Sequence, residues 1–170
     1  MTSPVSPTAT IIRRATAADL PSLGRLGALL VGVHHDFDAK RFIAPSPGTP
    51  SGYASFLGTQ LGHRDVAIFV AEEDGQVIGY AYAAVEDFDY MSLRGPAGVL
   101  HDVIVDPARR GRGVGRLLLG AVLQFVNSRG APRVVLSTAE RNEAAQRLFA
   151  SMGFRRTMIE MTRELDDSAR

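Results

Sequence analysis

Residues 103–116 read Val-Ile-Val-Asp-Pro-Ala-Arg-Arg-Gly-Arg-Gly-Val-Gly-Arg. The β-branched run Val103, Ile104 and Val105 predicts a strand, which Asp106-Pro107 ends because proline has no N–H for a ladder. Glycines at 111, 113 and 115 then let the backbone N–H groups approach a ligand closely. A helix predicted directly behind them brings its positive dipole end to the same spot, so strand, loop and helix form an anion cradle. Arg110, Arg112 and Arg116 add charge suited to phosphates.

Phosphate loops come in recognisable patterns, and two of them fail here. A Gly-Lys-Ser/Thr ending is missing because the loop has no lysine, which argues against a nucleoside triphosphatase. The dinucleotide fingerprint needs a third glycine three residues after the second, and those positions hold Arg116 or Leu118. The remaining pattern is Arg-x-x-Gly-x-Gly, at Arg110, Gly113 and Gly115. A basic loop that is merely solvated, or that contacts nucleic acid, would use the same residues.

Working outward, the 3.6-residue period of Val114, Leu117, Leu118, Ala121, Val122, Phe125 and Val126 predicts a long helix ended by Gly130 and Pro132. Before the loop, apolar runs at 66–72 and 77–86 flank Asp74-Gly75 and predict a hairpin, followed by a strand over 98–105. Nearer the start, residues 10–14 predict a strand, and a helix to about residue 35 is weakened by Gly24, Gly27 and Gly32. An irregular stretch then leads to a helix over 52–61. After the long helix come a strand over 133–137, a helix over 142–152 capped by Gly153, and a last strand over 154–163. The pattern predicts one α/β (α+β) domain over 10–165, with a mixed, mostly antiparallel sheet flanked by helices and loose tails at 1–9 and 166–170.

Composition narrows the function classes. A net charge of +1 gives no global field for nucleic acid or an anionic membrane. The absence of cysteine excludes disulfides, thiolate metal sites and an acyl group parked on a protein thiol. No leader pattern or membrane-length apolar run is visible, so a cytoplasmic location is expected, with no metal, no nucleic-acid partner and no membrane partner.

A second stretch sharpens the assignment. Asn142 opens the predicted helix, Ala145, Leu148 and Phe149 line its apolar face, and Gly153-Phe154 closes it. Each residue has an ordinary structural use, as a cap, a core side chain or a terminator. In this order after the Arg-x-x-Gly-x-Gly loop, however, they resemble the second signature of the GNAT acyltransferase superfamily, and residues 103–107 resemble that family's central strand. The resemblance spans roughly 11–165. It implies that acetyl-CoA is the cosubstrate, held by Val103, Ile104, Val105, Arg110, Gly111, Arg112, Gly113, Val114, Gly115 and Arg116, with Asn142 bonding the pantetheine arm and Phe149 beside it. Where many members carry a tyrosine to protonate the leaving thiolate, this chain has Phe149. With a pKa of about 8.5, a thiol leaves well enough near neutral pH without that proton.

The resemblance also implies a small-molecule or peptide amine acceptor, and it allows a homodimer. A lysine-like amine, with a pKa of about 10.4, needs a base at neutral pH far more than an α-amino group near 7.8 does. His101 stands where many relatives place a glutamate base, and histidine titrates in the range such a base needs. Strict strand alternation would put His101 on one face with Val103 and Val105, and Asp102 on the other. His34, His35 and Phe37, at the end of the first helix, and Glu86, at the hairpin end, are the expected acceptor contacts. A CoA-binding regulator without catalysis is the alternative that Phe149 motivates.

Overall fold

The computed structural model describes residues 9–165. A five-stranded sheet runs in the order β1 (Ile11–Arg14), β2 (Val66–Glu73), β3 (Gln76–Glu86), β4 (Ala97–Val105) and β5 (Val134–Leu136). All pairs are antiparallel except β4 with β5, which is parallel. Between β2 and β3 the turn residues Asp74 and Gly75 both have positive φ, 50° and 74°, as a tight hairpin matched to the strand twist requires. The mixed, mostly antiparallel sheet expected from the pattern is therefore formed.

Helices cover both faces. On one, α3 (Val114–Ser128) lays Leu118, Leu119, Val122 and Val126 against Ile78, Ala81, Ala83 and Leu100. α4 (Glu143–Ser151) adds Phe149, with Ala145 and Leu148, to that side. Gly98 allows the close approach, since a Cβ there would stand 2.3 Å from Val126 Cγ2. On the other face α1 (Leu20–Phe37) and α2 (Thr49–Gln60) bury Leu23, Leu26 and Leu57 against Ile68, Val70, Tyr80, Tyr82 and Ile104. The glycines that weaken α1 by propensity are its contact with α2. A Cβ at Gly24 would meet the Pro50 carbonyl at 2.3 Å, and one at Gly27 would meet the Tyr53 ring at 2.2 Å.

Two expectations need correction. The last strand over 154–163 does not form: Phe154 packs in the core, but residues 155–165 join no ladder and are exposed. An apolar β-prone run becomes a strand only where an edge receives it, and the outer edge of β5 does not meet this segment. Strict alternation along β4 also fails. The β3–β4 register steps from Tyr82↔Asp102 to Ala83↔Leu100, which leaves His101 as a bulge. The tails expected at 1–9 and 166–170 lie outside the described residues, apart from Ala9. Among the described residues, no helix is long and apolar enough to cross a membrane.

Candidate active site

β4 pairs with β5 only from Gly98↔Val134 to Leu100↔Leu136, yet continues to Val105. From His101 onward its β5-facing edge carries no ladder, while β3 holds the other side through Tyr80↔Ile104 and Gly79↔Val105. The backbone of Val103, Ile104 and Val105 therefore forms an open edge that runs straight into the glycine loop.

In that loop Pro107–Arg109 makes one 3₁₀ turn, capped by Asp106 Oδ1 accepting from the Ala108 N–H at 3.1 Å. Gly111 and Gly113 sit at φ 76° and 84°, a region costly for any side chain, and Gly113 is the N-cap of α3. The first N–H to close onto the helix is that of Leu117, on the Gly113 carbonyl. The N–H groups from Gly111 to Arg116 therefore have no acceptor within the described protein, and they converge at a helix N-terminus with no acidic residue in its first turn. A diphosphate fits this donor set. Gly115 also keeps α4 close, since a Cβ there would meet Leu148 Cδ2 at 3.0 Å.

The arginines act differently from the sequence expectation. The buried Glu73 carboxylate accepts from Arg109 and Arg112, at 3.3 and 3.2 Å. Arg110 Nε donates to the Val105 carbonyl at 3.0 Å, and Arg116 donates to Ser151 Oγ at 2.7 Å. These side chains brace the loop, and the unbonded donors are main-chain groups. Asn142 caps α4, its Oδ1 accepting from the Ala145 N–H at 3.2 Å, so its amide NH₂ remains available to a ligand carbonyl. Phe149 is buried beside Phe154 and offers no proton.

On the α2 side of β4 lies a cavity of about 370 Å³ lined by Gly52, Tyr53, Phe56, Tyr82, His101 and Asp102. The bulge brings both His101 and Asp102 to it. His101 stacks on Tyr82, with ring centroids 4.8 Å apart, and its Nε2 lies 2.9 Å from Glu86 Oε1. Glu86 is also paired with Arg94. Asp102 accepts from the Tyr80 hydroxyl at 2.8 Å, and Tyr53 reaches the same carboxylate. Burial pushes the Asp102 carboxyl above its usual range, opposed by these two phenols and by the nearby charges of His101 and His34. Burial beside this carboxylate also raises the Tyr53 and Tyr80 phenols, which stay protonated donors.

Of the expected acceptor contacts, Glu86 alone touches His101. His34 bonds the Leu30 carbonyl and packs edge-on against Phe37 and Phe42, while His35 bonds the Phe42 carbonyl. The Phe37 carbonyl accepts from Arg141. His34, His35 and Phe37 thus close the end of α1, and the cavity wall comes from α2 instead. Tyr53, Phe56, Tyr82 and Asp102 were missed by the sequence reading. The alternating Tyr80 and Tyr82 opposite an acidic strand residue were the available signal. Among the described residues no three His, Asp or Glu side chains gather as a metal site.

Comparison with known proteins gives concordant findings. The profile described as the acetyltransferase (GNAT) family matches residues 33–154. Mycothiol acetyltransferase of Thermobispora bispora is 39% identical over 93 residues, 55% of this chain and 31% of that protein. This chain thus spans about a third of the mycothiol acetyltransferases it matches. The N-alpha-acetyltransferase RimI of Mycobacterium tuberculosis is 31% identical over 125 residues, 71% of this chain and 70% of that protein. In fold, the BH1408 protein of Bacillus halodurans superposes with a TM-score of 0.80 at 21% identity, covering 91% of this chain and 99% of that one. The aminoglycoside N-acetyltransferase AAC(6')-Iy in complex with CoA gives 0.72 at 21% identity, covering 97% and 100%.

Proposed function

Because the chain belongs to the GNAT acetyltransferase family, we propose that it transfers an acetyl group from acetyl-CoA directly to a primary amine of a small molecule or peptide. One observation carries this reading. The β4 edge left open by the parting of β4 and β5 links the free N–H groups at 111–116 to a cavity holding two proton acceptors, His101 and Asp102.

Acetyl-CoA, when bound, supplies an activated thioester carbonyl. The N–H groups at 111–116 hold its diphosphate, the main chain of Val103 to Val105 and the Asn142 amide hold its pantetheine arm, and Phe149 gives that arm an apolar neighbour. The amine enters from the aromatic cavity, where Tyr53, Phe56 and Tyr82 cover its apolar body and the Asp102 carboxylate attracts its charged form. His101, steadied by Glu86 and by stacking on Tyr82, takes the proton that must leave before the nitrogen can attack. With no tyrosine at position 149, the thiolate leaves unaided.

The second reading, a CoA-binding regulator, rests on Phe149 having no proton to give. The two separate by thiol release from acetyl-CoA against a panel of a polyamine, an aminoglycoside, an amino acid and a peptide with a free N-terminus. Amine-dependent release supports the enzyme. CoA binding without release from any acceptor supports the regulator.

A further inference from the structure

Phe154 lies in the core on the α3 side, its ring 5.9 Å from that of Phe149, and the chain then leaves the body of the protein. From position 159 onward the sequence alternates. Ile159, Met161 and Leu165 fall on one side, and Glu160, Thr162 and Glu164 on the other. This is the pattern of a strand with one face covered. Yet Ile159, Met161 and Leu165 are 87%, 91% and 86% exposed, and the segment joins no ladder. Side chains alone tie it down, Glu160 to Arg41 and Arg156 to Gln146.

The sheet has the complementary feature. Among the described residues, β5 pairs with β4 on one side and with nothing on the other. Its residues Val134, Val135 and Leu136 are all apolar and only partly buried, without the proline, lysine or bulge that usually blunts an exposed edge. The opposite edge, β1, is a poorer receiver. Arg13 there is committed to Asp19 and Glu72, and Arg14 to the Val66 carbonyl.

We propose that two copies of this chain exchange their 155–165 segments, each adding as a strand to the open β5 edge of the other. The occupant follows from what needs covering. A foreign peptide on β5 would leave the chain's own apolar segment in water, whereas a second copy covers both surfaces at once. Because edge and segment lie on the same chain, the exchange is reciprocal and closes as a two-fold dimer. Phe154 anchors the departing segment in the core cluster that Val134 and Leu136 pack against, so it starts at the right end of the sheet.

Light scattering after gel filtration should give twice the chain mass across the micromolar range. Ile159→Lys combined with Met161→Lys alters side chains that are exposed in the single chain, so the far-UV spectrum should hold while the mass halves. Position is tested by cross-linking, for which the absence of cysteine gives a clean background. Val135→Cys is paired in turn with Ile159→Cys, Met161→Cys and Arg163→Cys, and the proteins are oxidised. An interchain disulfide in at least one pair is expected. A monomeric wild type, a dimer indifferent to the two lysines, a disulfide within one chain, or no disulfide from any pair would each overturn the exchange.

Discussion

His101 and Asp102 are adjacent in β4, yet both line the cavity beside α2. A regular strand would send them to opposite faces. The bulge opposite Tyr82 and Ala83 removes His101 from the register, so Leu100 packs toward α3 while the next two side chains both face α2. The site therefore holds a histidine backed by a carboxylate and, beside it, a carboxylate backed by two phenols. Bulges next to active sites commonly re-aim a side chain in this way.

If His101 takes the proton from the amine, His101→Gln keeps a hydrogen-bonding group at Glu86 but removes the base. A positioned base contributes about 10²- to 10⁴-fold, so kcat/KM should fall at least about 100-fold. CoA affinity should hold, and the acidic limb of the rate profile should vanish. Asp102→Asn is the control. A larger rate loss there, with His101→Gln near wild type, would move the role to the carboxylate whose raised pKa also suits a base.

The loop prediction concerns Gly113, which caps α3 at φ 84° and opens the run of unbonded N–H groups. Gly113→Asp places a side chain and a negative charge where a diphosphate would sit. Calorimetry should show CoA binding weakened by about tenfold or more, a loss of at least about 1.4 kcal/mol. Wild-type affinity in a folded variant would remove the cofactor from this loop.

How far the site could be read from sequence depended on the range of the interactions that build it. The strand at 103–105, the glycine loop and α3 follow from local chemistry, since proline, glycine and helical period act within a few residues. Tyr53 could not be placed this way, because its position depends on α2 crossing α1 over Gly24 and Gly27, a contact between distant segments. The same glycines read by propensity as a weak helix. His101 was found, but its face was not, because a bulge is a property of two strands in register. Residues 154–163 carried a strand pattern without carrying their partner. The loop arginines looked like phosphate ligands because their common acceptor, Glu73, lies more than 35 residues earlier in the chain.

Asn142 has two separable uses. Asn142→Asp retains the oxygen that accepts from the Ala145 N–H and adds a charge favourable at a helix start, so stability should change by less than about 0.5 kcal/mol. The amide donor is lost, and CoA binding should weaken. Unchanged affinity in a variant with a wild-type melting curve would leave the residue a cap and nothing more.

The last prediction concerns acid stability. Asp19 is only 6% exposed and accepts from both Arg13 terminal nitrogens, at 2.8 and 2.9 Å, and from the Thr16 N–H at 2.8 Å. The Arg13 guanidinium is the main cause that holds its carboxyl at about 2, against an ordinary 3.8. A carboxyl depressed in the folded state adds stability above its unfolded pKa, and that stability is lost as the pH falls through the folded value. The shift corresponds to about 2 kcal/mol, present in full at neutral pH and fading between about pH 4 and pH 2. Asp19→Asn should therefore unfold at lower urea than wild type at pH 7. The gap between the two should narrow steadily over that acid window. A gap of equal size at both ends of the window would mean that Asp19 stabilises the fold through shape and neutral hydrogen bonds, and that its charge contributes nothing.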